Sequence, residues 1–402
     1  MSLNVLLHLQ YSKVNLYKGD TDMNDLETLR KKIDEIDSQL LPLFLSRMEC
    51  SAGVAEYKRA NNMPVLDKNR EKQVLESKIQ KVSEELKLPV YDFFSAIMKI
   101  SRIAQAKALV SEDGRTPWLD SFDRGTLKKD PSVAYQGVPG ANSETALIEF
   151  FGKNCKRTNT VTFSEVIDLV ESDEVDYGIL PLENSSTGSI ANAYELLEKR
   201  DCFIVAEVAV PIDHCLVGLP DAKLEYIRTV YSHEQGYMQC KEFFKKYPKM
   251  KFQPYHNTAM AAKMIVETDD IDKAAVASKR TTEIYNLKVL AENISTIGGN
   301  TTRFAVIAKR GLLNEDCKKI SILFTLPDES GALSHVLSVF ADNGLNLVKI
   351  ESKPSHDGNF EYMFFVDFEG SLLDTSVNGI MAEVLSHTSS LKVLGNYSVF
   401  EK

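Results

Sequence analysis

Long apolar runs are scarce in this chain, and none reaches the roughly twenty residues that a bilayer-spanning helix needs. Positive charge is in short supply too: Asp and Glu outnumber Lys and Arg by 57 to 47, for a net charge of −10. That balance excludes nucleic acid or an anionic membrane as the main partner. The six cysteines (Cys50, Cys155, Cys202, Cys215, Cys240, Cys317) form no C-x-x-C pair and join no histidine at ligand spacing. Across 402 residues this predicts reduced thiols in a cytoplasmic protein, with neither a disulfide framework nor a metal site. The opening segment has an apolar patch, Val5 to Leu9, without a basic flank or a small-residue cleavage pattern. It is expected to be a disordered extension over residues 1–22, not a signal peptide.

What the chain does have begins at Leu26. Leu26, Leu29, Ile33, Ile36, Leu40, Leu43, Cys50, Val54 and Tyr57 keep a seven-residue frame. A helix from Asp25 to Ala60 would be about 50 Å long, too long to bury its stripe on one small neighbour, so a second copy is expected. Pro42 predicts a kink. Arg47 sits in the apolar seam, with Arg30 and Lys58 on the adjacent row. Three cations on a buried side require anionic partners, either interhelical carboxylates or a bound polyanion. Asp67 is a candidate N-cap, and Arg70 and Glu71 fall in the first turn of a second helix. A third helix is expected from near Pro89, turning polar at Ser101 and Gln105, which share a face.

These residues, in this spacing over 23–110, resemble the all-helical chorismate mutase family. The resemblance implies an intertwined dimer whose two sites each draw on both chains. It places Lys58 and Gln105 at the ether oxygen of chorismate, where negative charge develops as the C–O bond breaks, so a fixed cation and donor there favour the transition state. It gives Arg30 and Arg47 the carboxylates and Glu71 and Asp67 the ring hydroxyl, with Arg70 and Ser101 completing the shell. No cofactor is implied.

Residues 111–131 are polar and aperiodic and read as a linker or surface-packed connection. From Ser132 strands and helices alternate, an α/β arrangement. Four strand-to-helix junctions, at Gly137–Ser143, Pro181–Ser189, Ser232–His233 and Tyr255–Thr258, are rich in hydroxyl and amide groups. None carries a nucleotide-binding glycine signature. Each junction alone is explained by helix capping, whereas several converging on one cleft would bind the carboxylates of a small acid.

The motifs Tyr135–Ala141, Pro181–Ser189, Asp213-His214-Cys215-Leu216, Tyr231-Ser232-His233 and Thr302-Arg303-Phe304 resemble the prephenate dehydratase family over 132–311. The resemblance implies two lobes of the periplasmic-binding-protein kind, crossed near Glu207 to Pro211 and recrossed near Asn300. It makes Thr302 essential, as a donor or relay to the leaving hydroxyl. Asn184, Thr187, Ser232 and Gln239 would position the substrate. Arg303 is either a carboxylate partner or a lobe-closing cation, and His233 is the alternative acid.

Residues 318–402 read strand–helix–strand–strand–helix–strand, the ferredoxin-like order. Gly331-Ala332-Leu333 and Glu351-Ser352-Lys353-Pro354 resemble an ACT regulatory domain that binds phenylalanine, with Gly331, Ala332, Leu333, Glu351 and Ser352 as effector residues. Ser334 and Lys353 depart from that pattern, and Lys lacks the planar fork of an arginine. A merely structural or dimerising domain is the alternative. Together the resemblances imply a homodimeric or larger bifunctional enzyme of phenylalanine biosynthesis, fed by chorismate and prephenate and inhibited by phenylalanine. An arogenate-preferring dehydratase and a catalytically inactive amino-acid sensor are the rival readings.

Overall fold

The computed structural model describes residues 26–60, 68–109, 116, 118–296, 298–326, 330–354 and 362–400. The expected extension and Asp67 lie outside the described residues. The chain divides into two compact units: residues 1–115 with Asn378–His387, and residues 116–377 with 388–402.

Three helices make the first unit: α1 (Leu26–Ala60), α2 (Lys68–Ile79) and α3 (Glu84–Leu109). Helix α1 runs unbroken through Pro42 for 35 residues. Helix α3 starts five residues before Pro89, the expected start. Pro89 is the sixth residue of α3, so its missing N–H leaves the Glu85 carbonyl, in the first turn, without its helical donor. Ser51 and Ala55 of α1 and Met98, Ser101 and Gln105 of α3 are buried. The seven-residue stripe is not: Ile33, Ile36, Leu43 and Tyr57 are each more than half exposed, at 56, 63, 70 and 65%.

The second unit opens with β1 (Phe122–Arg124), part of the expected connection, which pairs in parallel with a later strand, Gly311–Leu313. The first lobe follows as β2 (Ser132–Gln136), α4 (Asn142–Phe151), β3 (Lys156–Thr160), α5 (Phe163–Glu171) and β4 (Tyr177–Asn184). It continues through β5 (Gly188–Ser189), α6 (Ala191–Lys199) and β6 (Phe203–Pro211). The chain then crosses into the second lobe: β7 (Cys215–Gly218), β8 (Thr229–Ser232), α7 (Glu234–Gln239), α8 (Lys241–Lys245) and β9 (Lys251–Pro254). That lobe closes with α9 (Thr258–Thr268), β10 (Lys273–Ala277), α10 (Arg280–Tyr285) and β11 (Lys288–Ala291). It returns on β12 (Thr301–Ala308), followed by β13 (Gly311–Leu313). Both crossings fall where the sequence placed them, and Ile212 N–H donates to Asn300 O between them at 2.8 Å.

The C-terminal region has β14 (Lys319–Leu326), α11 (Ala332–Asp342), β15 (Leu347–Pro354), β16 (Tyr362–Glu369), α12 (Thr375–Ser386) and β17 (Ser390–Phe400), the expected βαββαβ order. The second lobe carries a five-stranded sheet in the order β11-β7-β10-β8-β9. The first lobe and the C-terminal strands share one sheet of ten, β15-β16-β14-β17-β6-β12-β4-β2-β3 with β5 beside β4. Its seam is the parallel pair β17–β6, which brings Gly395 against Ile204. A Cβ on Gly395 would stand 2.2 Å from the Ile204 carbonyl oxygen, so only glycine lets the two backbones meet. One core runs across the seam, from Val166, Ile167 and Leu197 to Leu323, Phe365 and Tyr397. Fully burying side chains of this size is worth about 1.5–3 kcal/mol each, which makes the seam a packed interior.

Candidate active sites

In the helical unit, Arg47 Nη1 donates to Ser101 Oγ and to the Ile97 carbonyl, joining α1 to α3. Gln105 Nε2 donates to Ser51 Oγ at 2.8 Å, and its buried Oε1 has no hydrogen-bond partner among the described residues. Arg47, Ser101 and Gln105 are thereby brought to one α1–α3 face. Lys58 lies half-buried eleven residues beyond Arg47, three turns along the same side of α1. Glu71 is engaged by Arg102 Nη1 at 2.5 and 2.6 Å. The sequence reading missed Arg102, although its place beside Ser101 offered a hint. Arg70 is exposed in α2, and Arg30 is exposed in α1. Arg30 is seventeen residues from Arg47, about 25 Å of helix, so one chain does not unite them.

In the second unit, a cavity of about 360 Å³ opens between the two lobes. All four hydroxyl- and amide-rich junctions reach it. Ala141, Asn142 and Ser143 come from the start of α4, Asn184 and Thr187 from the end of β4, His233 from the start of α7, and Asn257 and Thr258 from the start of α9. The capping role coexists with convergence: Asn257 Oδ1 accepts from Met260 N–H at 2.7 Å, and His233 Nδ1 accepts from Gln235 N–H at 3.3 Å. His233 therefore carries its proton on Nε2. Helix N-termini and uncharged donors line the cavity with His214, His233 and His256, and no carboxylate, lysine or arginine is among the lining residues. Such a wall suits an anion, and its own proton donors are hydroxyls and imidazoles.

Thr302 and Asn300 sit at the base of the cavity, both buried. Asn184 Nδ2 donates to Asn300 Oδ1 and to Thr302 Oγ1, at 2.8 Å each. Asn184 Oδ1 accepts from Ser186 N–H and Oγ and, at 3.3 Å, from Thr187 Oγ1. Gln239 Nε2 donates to Ser186 Oγ at 2.6 Å, and Gln239 Oε1 stands 3.2 Å from Asn300 Nδ2 and 2.8 Å from His214 Nε2. Burial lowers the His214 pKa below the ordinary histidine value. Ser232 is fully buried behind Gly236, where an added Cβ would lie 2.9 Å from its Oγ, and it does not line the cavity. The sequence reading missed His214 and Asn300 as site residues. His214 stands alone before an apolar strand, where a structural histidine is the ordinary expectation.

Arg303 meets neither expectation: it is not among the residues lining the cavity, and none of its ion-pair partners lies in the second lobe. Side chains alternate along a strand, so Arg303 points away from the face that carries Thr302. It meets Glu183 at 3.2 Å, Asp367 at 3.4 Å and Glu207 at 3.7 Å. Burial would lower its pKa, but Glu207 and Asp367 outweigh that and hold it raised and charged. Lys319 Nζ joins the same buried cluster, 2.9 Å from Glu207 and 3.4 Å from Asp367. These groups tie β12 and β6 of the first lobe to β14 and β16 of the C-terminal sheet.

Of the expected effector residues, Gly331 (φ +83°), Ala332 and Leu333 begin α11, a start whose left-handed first residue favours glycine. Glu351 and Ser352 lie on the edge strand β15, on opposite faces by its alternating burial. Glu351 accepts from Ser189 Oγ of β5. Lys349 donates to Ser189 Oγ at 3.0 Å and to Tyr194 OH at 2.7 Å. Lys353 Nζ has no hydrogen-bond partner among the described residues and lies over the Tyr194 and Phe365 rings at 5.4 and 5.8 Å.

Comparison with known proteins finds three family profiles in succession: Chorismate mutase type II over residues 29–106, Prephenate dehydratase over 133–311 and ACT domain over 320–377. The chain is 35% identical to a bifunctional chorismate mutase/prephenate dehydratase of Aquifex aeolicus, covering 93% of this chain and 98% of that protein. It is 39% identical, over 66% of this chain and 68% of that protein, to arogenate dehydratase/prephenate dehydratase 6 of Arabidopsis thaliana. Among solved structures, a prephenate dehydratase from Arthrobacter aurescens in complex with L-Phe matches with 27% identity and a TM-score of 0.62, over 66% of this chain and 89% of that one.

Proposed function

The chain belongs to the bifunctional chorismate mutase/prephenate dehydratase family, and on that premise we propose which residues perform each step. The helical unit rearranges chorismate to prephenate; the two-lobed cleft converts prephenate to phenylpyruvate, and phenylalanine feeds back on the enzyme. The observation that carries the dehydratase assignment is the hydrogen-bond network that ends on Thr302 in a cavity lined without carboxylates.

Prephenate arrives as a dianion. The starts of α4 and α9 and the amide of Asn257 receive its carboxylates, and Thr187 positions the substrate from the cavity wall. The ring hydroxyl leaves with one proton as water, the quaternary carboxylate leaves as CO2, and the bonding electrons of the broken C–C bond complete the aromatic ring. Aromatisation supplies the driving force, so the protein has only to hold the dianion and deliver a proton to the departing oxygen. Thr302 is the donor to that oxygen, acting as a relay because a free threonine is too weak an acid to ionise. His233, which lines the cavity with its hydrogen on Nε2, is the alternative hydrogen-bond donor to that oxygen. Asn184 and Gln239 hold the donor in place, and Ser232 acts from behind the wall.

In the helical unit, Lys58 and Gln105 stabilise the charge that grows on the ether oxygen of chorismate. Arg47 and Ser101 take one carboxylate, Asp67, Arg70 and Glu71 serve the ring hydroxyl side, and Arg30 comes from a second copy. The exposed stripe of α1 and the 25 Å between Arg30 and Arg47 both support a homodimer that completes the site. Gly331, Ala332, Leu333, Glu351 and Ser352 receive phenylalanine. Glu351 also holds Ser189, two residues past the cleft residue Thr187. Arg303 and Lys319 are read as the brace that transmits this contact. A cytoplasmic location suits six unpaired cysteines.

Following chorismate, prephenate and phenylpyruvate in one assay tests the assignment. Lys58→Ala is expected to stop only the first conversion, and Thr302→Ala only the second, with prephenate accumulating. Undiminished dehydration in Thr302→Ala would overturn the role of that residue. Faster turnover of arogenate than of prephenate would replace the proposed substrate of the cleft.

A further inference from the structure

One backbone N–H fixes the sense of the whole network in the cleft. Ser186 N–H points at a side-chain atom of Asn184 from 3.0 Å, and a backbone N–H can only donate, so that atom is the carbonyl oxygen. The amide nitrogen of Asn184 must then face Asn300 and Thr302. Asn300 consequently presents its oxygen to Asn184 and its nitrogen to Gln239. Gln239 receives that nitrogen on Oε1 and offers Nε2 to Ser186 Oγ. The Ser186 hydroxyl closes the circuit by donating to Asn184 Oδ1 at 2.6 Å. Every bond in this ring of four side chains runs the same way round, an arrangement in which each bond polarises the next.

Three side chains touch the ring from outside: Thr187, whose Oγ1 donates to Asn184 Oδ1 at 3.3 Å, His214 and Thr302. His214 Nε2 lies 2.8 Å from Gln239 Oε1, an atom already fixed as an acceptor, so that ring nitrogen must carry a hydrogen. His214 is 4% exposed, and burial favours its neutral form, which leaves the Nε2–H tautomer. At the opposite exit, Thr302 Oγ1 accepts the second Asn184 N–H. No described residue accepts a hydrogen bond from the Thr302 hydroxyl, whose oxygen stands at the cavity wall.

We propose that His214 is a positioning residue for the dehydration: by donating to Gln239 Oε1 it holds in place the amide that links Asn300 to Ser186, and thereby steadies the ring that carries Thr302. Without that donor Gln239 has one bond fewer to hold its side chain, and its links to Asn300 and Ser186 loosen while Ser186 N–H still fixes Asn184. The inference rests on the reading that Thr302 serves the leaving hydroxyl. It assigns His214 no contact with substrate.

The test uses the full-length enzyme and prephenate. His214→Leu keeps the bulk and removes the donor; His214→Gln keeps an N–H at comparable reach. For His214→Leu, kcat is expected to fall at least about tenfold with KM changed less than about twofold, because the loss is felt in the transition state. His214→Gln is expected to recover at least about half of the wild-type kcat, and chorismate turnover to stay unchanged in both. Nitrogen-15 NMR of histidine-labelled wild-type enzyme is expected to place the His214 hydrogen on Nε2, which a variant that fails to fold cannot obscure. An unaltered kcat in His214→Leu, equal impairment in the Leu and Gln variants, or a bare Nε2 would each overturn the proposal. Thr302→Ala separates the two claims: dehydration surviving that substitution sinks the reading of Thr302, whereas its loss beside an active His214→Leu sinks only the role of His214.

Discussion

In the helical unit Arg30 and Arg47 stand seventeen residues apart on one continuous helix, about 25 Å, and the apolar stripe between them faces outward. In the cleft, Asn184 reaches both Asn300 and Thr302 at 2.8 Å, although 116 and 118 residues of chain separate them. On the proposed assignment, the contrast is between a site that one chain only half supplies and a site that one chain closes on itself. A long helix is cheap to specify, since a seven-residue period does it, but it spreads its functional groups along its length and needs a partner to gather them. A two-lobed α/β fold spends far more sequence on crossings and sheets, and it gathers groups from distant segments without help.

The stripe of α1 gives the strongest way to break this contrast. Ile36→Glu with Leu40→Glu would bury carboxylates in the seam of a dimer, at several kcal/mol per unpaired charge. Chorismate turnover is expected to drop at least about a hundredfold, with the helical unit monomeric in sedimentation and prephenate dehydration retained. Equal loss of both activities would show that the cleft, too, depends on the partner. A smaller effect is expected at the seam of the ten-stranded sheet. Glu207→Ala leaves Lys319 and Arg303 with one carboxylate fewer in a buried cluster, and breaking such a cluster costs about 3–5 kcal/mol. The melting temperature should fall, with phenylalanine inhibition weakened more than chorismate turnover. The Glu207→Gln variant should lie between.

The smallest effect is on acid stability. The folded state lowers the His214 pKa below its ordinary value of 6.5, so the unfolded chain binds the extra proton first as pH falls. Stability from the neutral imidazole is complete above about pH 6.5 and is lost below it. Asp213 is the charged neighbour that opposes this shift, and the Gln239 amide is the polar one. His214→Gln should therefore lose less melting temperature than wild type between pH 7.5 and pH 5.5.

The sequence disclosed the two regions unequally, for physical reasons. The heptad frame of α1 and the βαββαβ order of the C-terminal region are local periodicities, and both stand in the structure at nearly their expected bounds. The four polar junctions were visible singly, but their meeting in one cavity depends on tertiary placement that no local pattern encodes. Arg303 illustrates a signal that was available: next to Thr302 on a strand, it had to face the other way. Glycine 395 illustrates one that was not, since a single glycine within an apolar strand carries no mark of the backbone it will approach. His214 and Arg102 escaped because their importance lies in what they hold, Gln239 and Glu71, both distant in sequence.

The most direct test mixes inactive chains. Arg30→Ala and Lys58→Ala variants, each devoid of chorismate turnover, are unfolded together and refolded. A hybrid dimer then contains one site with both residues intact, so about a quarter of wild-type mutase activity should return from a random mixture. The parallel mixture of Asn184→Ala with Thr302→Ala should recover no prephenate dehydration, because those residues act within one chain. Silence from the first mixture, or recovery from the second, would contradict the account.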